Sequence, residues 1–429
     1  MNLIRAQGLA ALALFALLSS SVLARDLWVD KQSLGGACNN SRTASQVTKT
    51  TPLCTLGAAA SKVVPGDVVR VRAGIYNEVH NCAGCEGRAV LQLIKPGTST
   101  AWIRFIAEPG ETVVMEGTSS ATIGVRGIAF NGVQPSFNEV SGFRIRKFSR
   151  DCIAYDSVPD VRFSRLDVTQ CGRAAVMLRG ATRVTFEKSA VHDNNTTGWT
   201  SAVDLYLCKS GNVVRGNRIW NNSDSPVGQS DSEGHGLIMD YCTSTAGAII
   251  ENNVIYNNEG WCIVILNSNG ATVRNNVCYR NGIRQDGSGE LSALGNNLAI
   301  HNNILAPRSN QRAMNIRFSR SDYTANLATV SEDYNLLYVA STATAVQWGG
   351  SVGTLAQYQA RNGRGWGSHS LTGNPWFADV SRFDFHLQSG SAAIDQGSTS
   401  RAPAIDFDGR ARPLGRSADM GAYEFSTVN

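Results

Sequence analysis

The chain has 429 residues, 42 of them glycine, and 39 basic against 34 acidic side chains give it a formal net charge of +5. The basic residues are scattered, with no basic run and no zinc-finger spacing. That argues against a nucleic-acid partner and suits, without demanding, an anionic one. Beyond a short leader, no segment is long and apolar enough to cross a bilayer.

The leader comes first. MNLIR is a short basic start, LAALALFALL an apolar stretch, and SSSVLA ends in small residues. Residues 1–24 therefore read as a secretory signal cut after Ala24. Its removal takes away Arg5 alone among charged residues, so the formal charge falls from +5 to +4 and about 405 residues remain. The expected location is secreted or periplasmic, as a soluble monomer with no membrane contact. All ten cysteines, at 38, 54, 82, 85, 152, 171, 208, 242, 262 and 278, follow the leader. An even count in an exported chain predicts disulfides. Cys208 with Cys242, Cys262 with Cys278 and Cys152 with Cys171 are candidate pairs. Cys82 and Cys85 have thioredoxin-like spacing but lack the strand–helix setting of a redox unit.

Residues 25–80 form an N-terminal cap and first coil. Within them CTLGAAASKVV predicts a short helix ended by Pro65–Gly66, and PGDVVRVRAGIY a strand. Residues 81–345 hold a repeat. RGNRIWNN from Arg215, ENNVIYNN from Glu251, RNNVCYRN from Arg274 and HNNIL from His301 align without gaps, and EKSAVHDN from Glu187 fits more loosely. A coil of about 23 residues with variable insertions explains the steps between them. Each coil carries short β-type runs, such as AVDLYLC, GLIMDYC and CIVIL, separated by Asn and Gly. Such runs at a fixed period predict a parallel β-helix, all-β and single-stranded, with a ladder of Asn217, Asn253, Asn276 and Asn303. Residues 346–429 supply the last coils, a second short helix in SVGTLAQYQARNGRG, and a turn-rich closing segment. In that segment Asp406 and Asp408 are expected to cap turns.

Strand alternation predicts Val203, Leu205 and Leu207 pointing inward, with Asp204 and Tyr206 outward. One coil on, Leu237, Met239 and Tyr241 should point inward, with Ile238 and Asp240 outward.

The coil signatures, PGDVVRVRAGIY near the start, and AIDQG, DFDGRARPLG and DMGAYE near the end resemble exported right-handed parallel β-helix proteins of the pectate-lyase-like superfamily. The resemblance covers nearly the whole mature chain. It implies a substrate cleft along the first sheet, a Lys or Arg acting as base, and calcium or a basic side chain neutralising a uronate carboxylate. The chain departs from family-nine pectate lyases, whose calcium site clusters several Asp near a Trp, since WTSAVDLYLC holds one Asp. The lysine-bearing strand of that type and the Asp-Pro-His-Asp motif of mannuronan epimerases are absent too. No subfamily mechanism is therefore carried over.

The longest coil step, 36 residues between Arg215 and Glu251, contains the insertion NSDSPVGQSDSE directly before GHGLIMDYC. It delivers Asp231, Glu233 and His235 to the edge of a strand bearing Asp240, beside a coil bearing Asp204 and Tyr206. Paired carboxylates there suit general acid and base work on a glycosidic bond. Alternatively, Asp204, Asp231 and Asp240 supply oxygens for calcium. Candidate catalytic residues are thus Asp204, Glu233, His235 and Asp240, with Lys209 and Arg317 as cations. Trp199, Tyr206, Arg179, Asn315 and Glu290 are candidate substrate contacts. His192 and His301 occupy repeat positions and read as structural. The sequence points to a polysaccharide lyase that cleaves an anionic, uronate-containing polymer by β-elimination. A glycoside hydrolase on the same carboxylates and a non-catalytic carbohydrate-binding solenoid are the alternatives.

Overall fold

The computed structural model describes residues 24–426 apart from 32–36, 82–87, 119–121, 129–132, 197–199, 225–232, 244–246, 285–288, 310, 340–344 and 362–364. Three long sheets stack along the chain, two of 11 strands and one of 12. Their coil-to-coil pairings are parallel, so the fold is an all-β right-handed parallel β-helix. One full coil shows the plan. Strand Val203–Tyr206 lies in the first sheet, Asn212–Arg215 in the second and Arg218–Trp220 in the third. The next coil repeats them as Leu237–Asp240, Ala248–Glu251 and Val254–Tyr256. The run VVRGNRIW thus spans two strands and the corner between them.

Corners of the central coils share one plan. The residue that closes a strand takes left-handed backbone, and the next residue turns inward. Between the second and third sheets the left-handed positions are Gly216 (φ +63°), Asn252 (+52°), Asn275 (+53°) and Asn302 (+59°). Asn tolerates this region better than other residues with a Cβ. The following Asn side chains form the expected ladder: Asn217 donates to Asn253 at 3.0 Å, Asn253 to Asn276 at 3.0 Å, Asn276 to Asn303 at 3.0 Å, and Asn303 to Asn335 at 2.9 Å. A second ladder, which the sequence reading missed, runs Asn194, Asn222, Asn258, Asn281 after the third sheet. Its signal was the second Asn of each WNN and YNN.

Ladder asparagines satisfy backbone groups that the corners bury. Asn253, fully buried, donates to Val214 O at 2.9 Å and accepts from the Asn217 backbone at 3.1 Å. Asn253→Ala leaves both without a partner and is expected to cost about 2–3 kcal/mol. A urea-unfolding midpoint indistinguishable from wild type would refute this role.

The third corner explains a correction. Leu207 (φ +50°) and Tyr241 (φ +49°) are its left-handed residues, so alternation stops one residue earlier than predicted. Leu207 is 41% exposed instead of inward, and the Tyr241 side chain reaches out to Asp322. Cys208 and Cys242 take the ladder places behind them and are disulfide-bonded, as are Cys152–Cys171, Cys262–Cys278 and Cys38–Cys54. Cys82 and Cys85 lie outside the described residues.

The core runs along the solenoid axis from Leu27 to Trp366. At the start it is closed by helix Leu56–Lys62, capped by Thr55 and ended before Pro65–Gly66. A second helix, Leu355–Ala360, starts with a capping box at Thr354 and lies by the last strand of the first sheet. The tail folds back on the third sheet, where Phe383 and Phe385 pack on Tyr256 and Asp406 accepts backbone bonds from Arg410 and Glu424. His192 is held between Asp167 and Asp193 and stacks on Trp220. No described helix is long and apolar enough to cross a membrane.

Candidate active site

The outward face of the first sheet carries the chemistry. Met177 pairs with Asp204, Asp204 with Ile238, and Tyr206 with Asp240. Asp204 and Asp240 therefore lie diagonally on neighbouring strands, which stand about 4.8 Å apart. Glu233 joins them from the residues just before strand Leu237–Asp240, accepting from Ser201 Oγ at 3.2 Å. These groups line one cleft of about 500 Å³ together with Arg173, Arg179, Thr200, Tyr206, Tyr241 and Arg320.

Asp204 faces outward yet is 3% exposed. Burial, then the nearby charges of Glu233 and Asp240, push its carboxyl well above the usual range. Burial and Asp240 raise Glu233 to about 7. Burial raises Asp240 to about 6, against the opposing pull of Arg320. Desolvation favours the neutral acid, and clustering does the same. One oxygen each of Asp204 and Asp240 is buried without a hydrogen-bond partner. Buried carboxylate oxygens left free on a common face fit a hard, oxygen-seeking cation such as calcium.

Cations surround the acids. Arg173 is anchored on the buried Asp151 at 2.6 Å, and the Arg179 guanidinium lies 5.8 Å from the Tyr206 ring centre. Arg320, which sequence reasoning missed, arrives on a hairpin of Ser319–Arg320 and Tyr323–Thr324. That hairpin is pinned by Asp322, which accepts from Tyr241 Oη at 2.7 Å and Asn267 Nδ2 at 3.1 Å, and by Tyr323 Oη on Asn269 at 2.8 Å. These contacts span 54 to 81 positions in sequence, so no local pattern announces Arg320.

Other predicted site residues lie elsewhere. His235 accepts the Trp261 backbone N–H at 3.0 Å and packs against Gly260, outside the cleft lining. Lys209 is exposed beyond the Leu207 corner, where its backbone bonds Ala181 O and Asn212. Glu290 is not a cleft residue. It is fully buried and ends the second ladder, accepting from Asn281 Nδ2 at 2.7 Å. It also neighbours Cys262 and Cys278, but those sulfurs are engaged in a disulfide. Arg317 and Asn315 line a separate hollow. Trp199 and Asp231 lie outside the described residues.

A larger groove of about 800 Å³ runs between the second and third sheets and residues 403–409. Its Arg215 and Arg274 are paired with Glu187 and Glu251 at 2.8 and 2.7 Å. Two of its arginines are thus already matched by acids.

Among solved structures, the chain is similar to pectate lyase Pel9A, at 13% identity and TM-score 0.49, covering 94% of this chain and 96% of that one. It is similar to an alginate lyase from Paenibacillus sp. str. FPU-7, at 15% identity and TM-score 0.49, covering 77% and 97%. It is also similar to the A-module of the Azotobacter vinelandii mannuronan C-5 epimerase AlgE4, at 12% identity and TM-score 0.43, covering 81% and 100%. No curated protein matches the chain. Residues 37–312, more than half of the sequence, match the family described as Pel9A-like, right handed beta helix region. The chain belongs to that Pel9A-like right-handed β-helix family.

Proposed function

We propose that this protein is an exported carbohydrate-active enzyme that cleaves an acidic, uronate-containing polysaccharide by β-elimination in the cleft of the first sheet. The observation that carries this reading is the meeting of three carboxylates and three arginines in one cleft. The guanidinium groups of Arg173, Arg179 and Arg320 give an anionic polymer its attraction and its carboxylate contacts. Glu233, titrating near 7, is suited to take or return a proton at neutral pH. Tyr206 offers an aromatic face to a sugar ring. Asp204 and Asp240 are the residues that would hold a calcium ion. When bound, such an ion would neutralise a substrate carboxylate and make the adjacent C–H more acidic.

Hydrolysis is the second reading. It is favoured by the raised Glu233 and Asp240, since a protonated acid beside a second carboxyl group is the pair a glycosidase needs. One assay separates the two. Pectate, alginate, glycosaminoglycans and neutral glycans are incubated with calcium or with chelator. Ultraviolet absorbance of unsaturated uronate ends is followed beside new reducing ends. Elimination raises both signals. Reducing ends without absorbance would replace the first reading by the second, and silence in both would leave a binding solenoid.

Arg320→Ala removes a cleft cation that the sheet itself does not supply. It is expected to raise KM for the acidic polymer about tenfold, the worth of one charge-assisted hydrogen bond. An unchanged KM would exclude Arg320 from substrate binding.

A further inference from the structure

A second hollow, of about 350 Å³, opens on the same face of the first sheet, lined by Asn315, Arg317, Phe318, Ser319, Gln347 and Gly349–Gly350. Asn315 lies on strand Arg312–Ile316, between Ser292 and Gln347 of the neighbouring strands. Three inter-strand steps separate this strand from Leu237–Asp240, or about 14 Å at the usual spacing.

The chemistry of the hollow is unfinished. The Asn315 amide oxygen is buried without a hydrogen-bond partner. Arg317 is half-buried, and among the described residues its guanidinium has no carboxylate to pair with. The neighbouring charge is Arg320, also positive, whose own partner Asp322 sits 3.5 Å away. Burial and Arg320 both push the Arg317 guanidinium below its usual range, so a bound anion would relieve it. Keeping a cation half-desolvated beside a like charge is costly. The unpaired amide oxygen adds a demand for a donor. Chloride or sulfate would meet the first need but brings no donor for the second. A sugar acid offers a carboxylate for Arg317 and hydroxyl donors for Asn315.

We infer that the Arg317–Asn315–Gln347 hollow is a distal subsite that binds one uronate residue of the polymer whose scissile bond lies in the acid cleft. The inference rests on the proposed acidic substrate and adds a length requirement. No single sugar ring bridges 14 Å, so the subsite acts only on chains of several units. Arg320 follows Arg317 by three residues and its hairpin joins the two hollows, so a bound chain runs along the stacking direction of the coils.

The test is calorimetric binding of galacturonate, mannuronate and guluronate oligosaccharides, as disaccharides and hexasaccharides, to the full chain and to Arg317→Ala, Arg317→Lys and Asn315→Ala. Circular dichroism verifies that each variant is folded. The expected result is hexasaccharide binding weakened about tenfold or more by Arg317→Ala, a smaller loss with Arg317→Lys, and disaccharide binding unchanged. Asn315→Ala should weaken the hexasaccharide as well, which provides a second reading if Arg317→Ala does not fold. Equal hexasaccharide affinity in wild type and both alanine variants would overturn the subsite and leave the acid-cleft reading standing. Hexasaccharide binding that depends on Arg317, in a protein that gives reducing ends without the ultraviolet absorbance of unsaturated uronate ends, would keep the subsite and overturn elimination. No uronate oligosaccharide binding by wild type would overturn both.

Discussion

Asp240→Asn is expected to lower kcat/KM on the responsive polymer by roughly 10²–10⁴-fold, the usual worth of a positioned acid, base or ligand carboxylate. Glu233→Gln should fall in the same range. Both side chains line the cleft, and their charges act on each other. Neither substitution removes a core contact. Each replaces a carboxyl group that burial already penalises, so the unfolding midpoint should stay level or rise. Loss of activity with retained or increased stability is the signature of a site kept at the expense of the fold. A fall of less than about threefold in both variants would remove the acid cluster from the machinery.

Protein stability should decline as pH rises from about 5 to 8, opposite to a protein whose acids are mostly ion-paired. Glu233 is raised from 4.5 to about 7, so the folded state binds more protons than the unfolded state between those values. By linkage, stability is full below 4.5 and is lost as pH climbs through 7, by about 3 kcal/mol for this group alone. Asp240, raised to about 6, and the buried Glu290 and Glu332, raised to about 8 and 7, act with the same sign. Asp167, held low by His192, and Glu116, held low by Arg146 against the cost of burial, work the other way at acid pH. The maximum should therefore fall near pH 5. Urea unfolding across pH 4 to 8 measures the slope, and Glu233→Gln should flatten it. Calcium at pH 8 should restore stability by mass action on the oxygens of Asp204 and Asp240. A slope indifferent to calcium would argue that the cluster holds protons rather than a metal ion.

Much of the fold was legible because each coil repeats its local chemistry. Paired asparagines mark corners twice over, one taking left-handed backbone and the next bonding the coil beside it. Asn252–Asn253 and Asn275–Asn276 show the rule. Cys208 and Cys242, at the same repeat position, were one of three candidate pairs, and they are disulfide-bonded. The outward placement of Asp204 and Asp240 followed from alternation alone, and the insertion before Gly234 pointed to Glu233.

What the sequence by itself determined, then, was the repeating cross-section: the coil period, the asparagine corners between the second and third sheets, and which acids reach the outer face of the first sheet. Those features depend on neighbours a few residues or one coil away. Tertiary structure alone decided how deeply Asp204 is buried, that Glu290 closes a ladder instead of lining a cleft, and that Arg320 rather than Lys209 stands beside the acids. Lys209 is one corner from Asp204 in sequence, but left-handed backbone at Leu207 sends the chain toward the second sheet. Arg320 is more than a hundred residues from Asp204, yet Tyr241, Asn267 and Asn269 hold its hairpin against the cleft. A solenoid's period constrains what is stacked. Loops that fold back across the stack obey contacts that no period records.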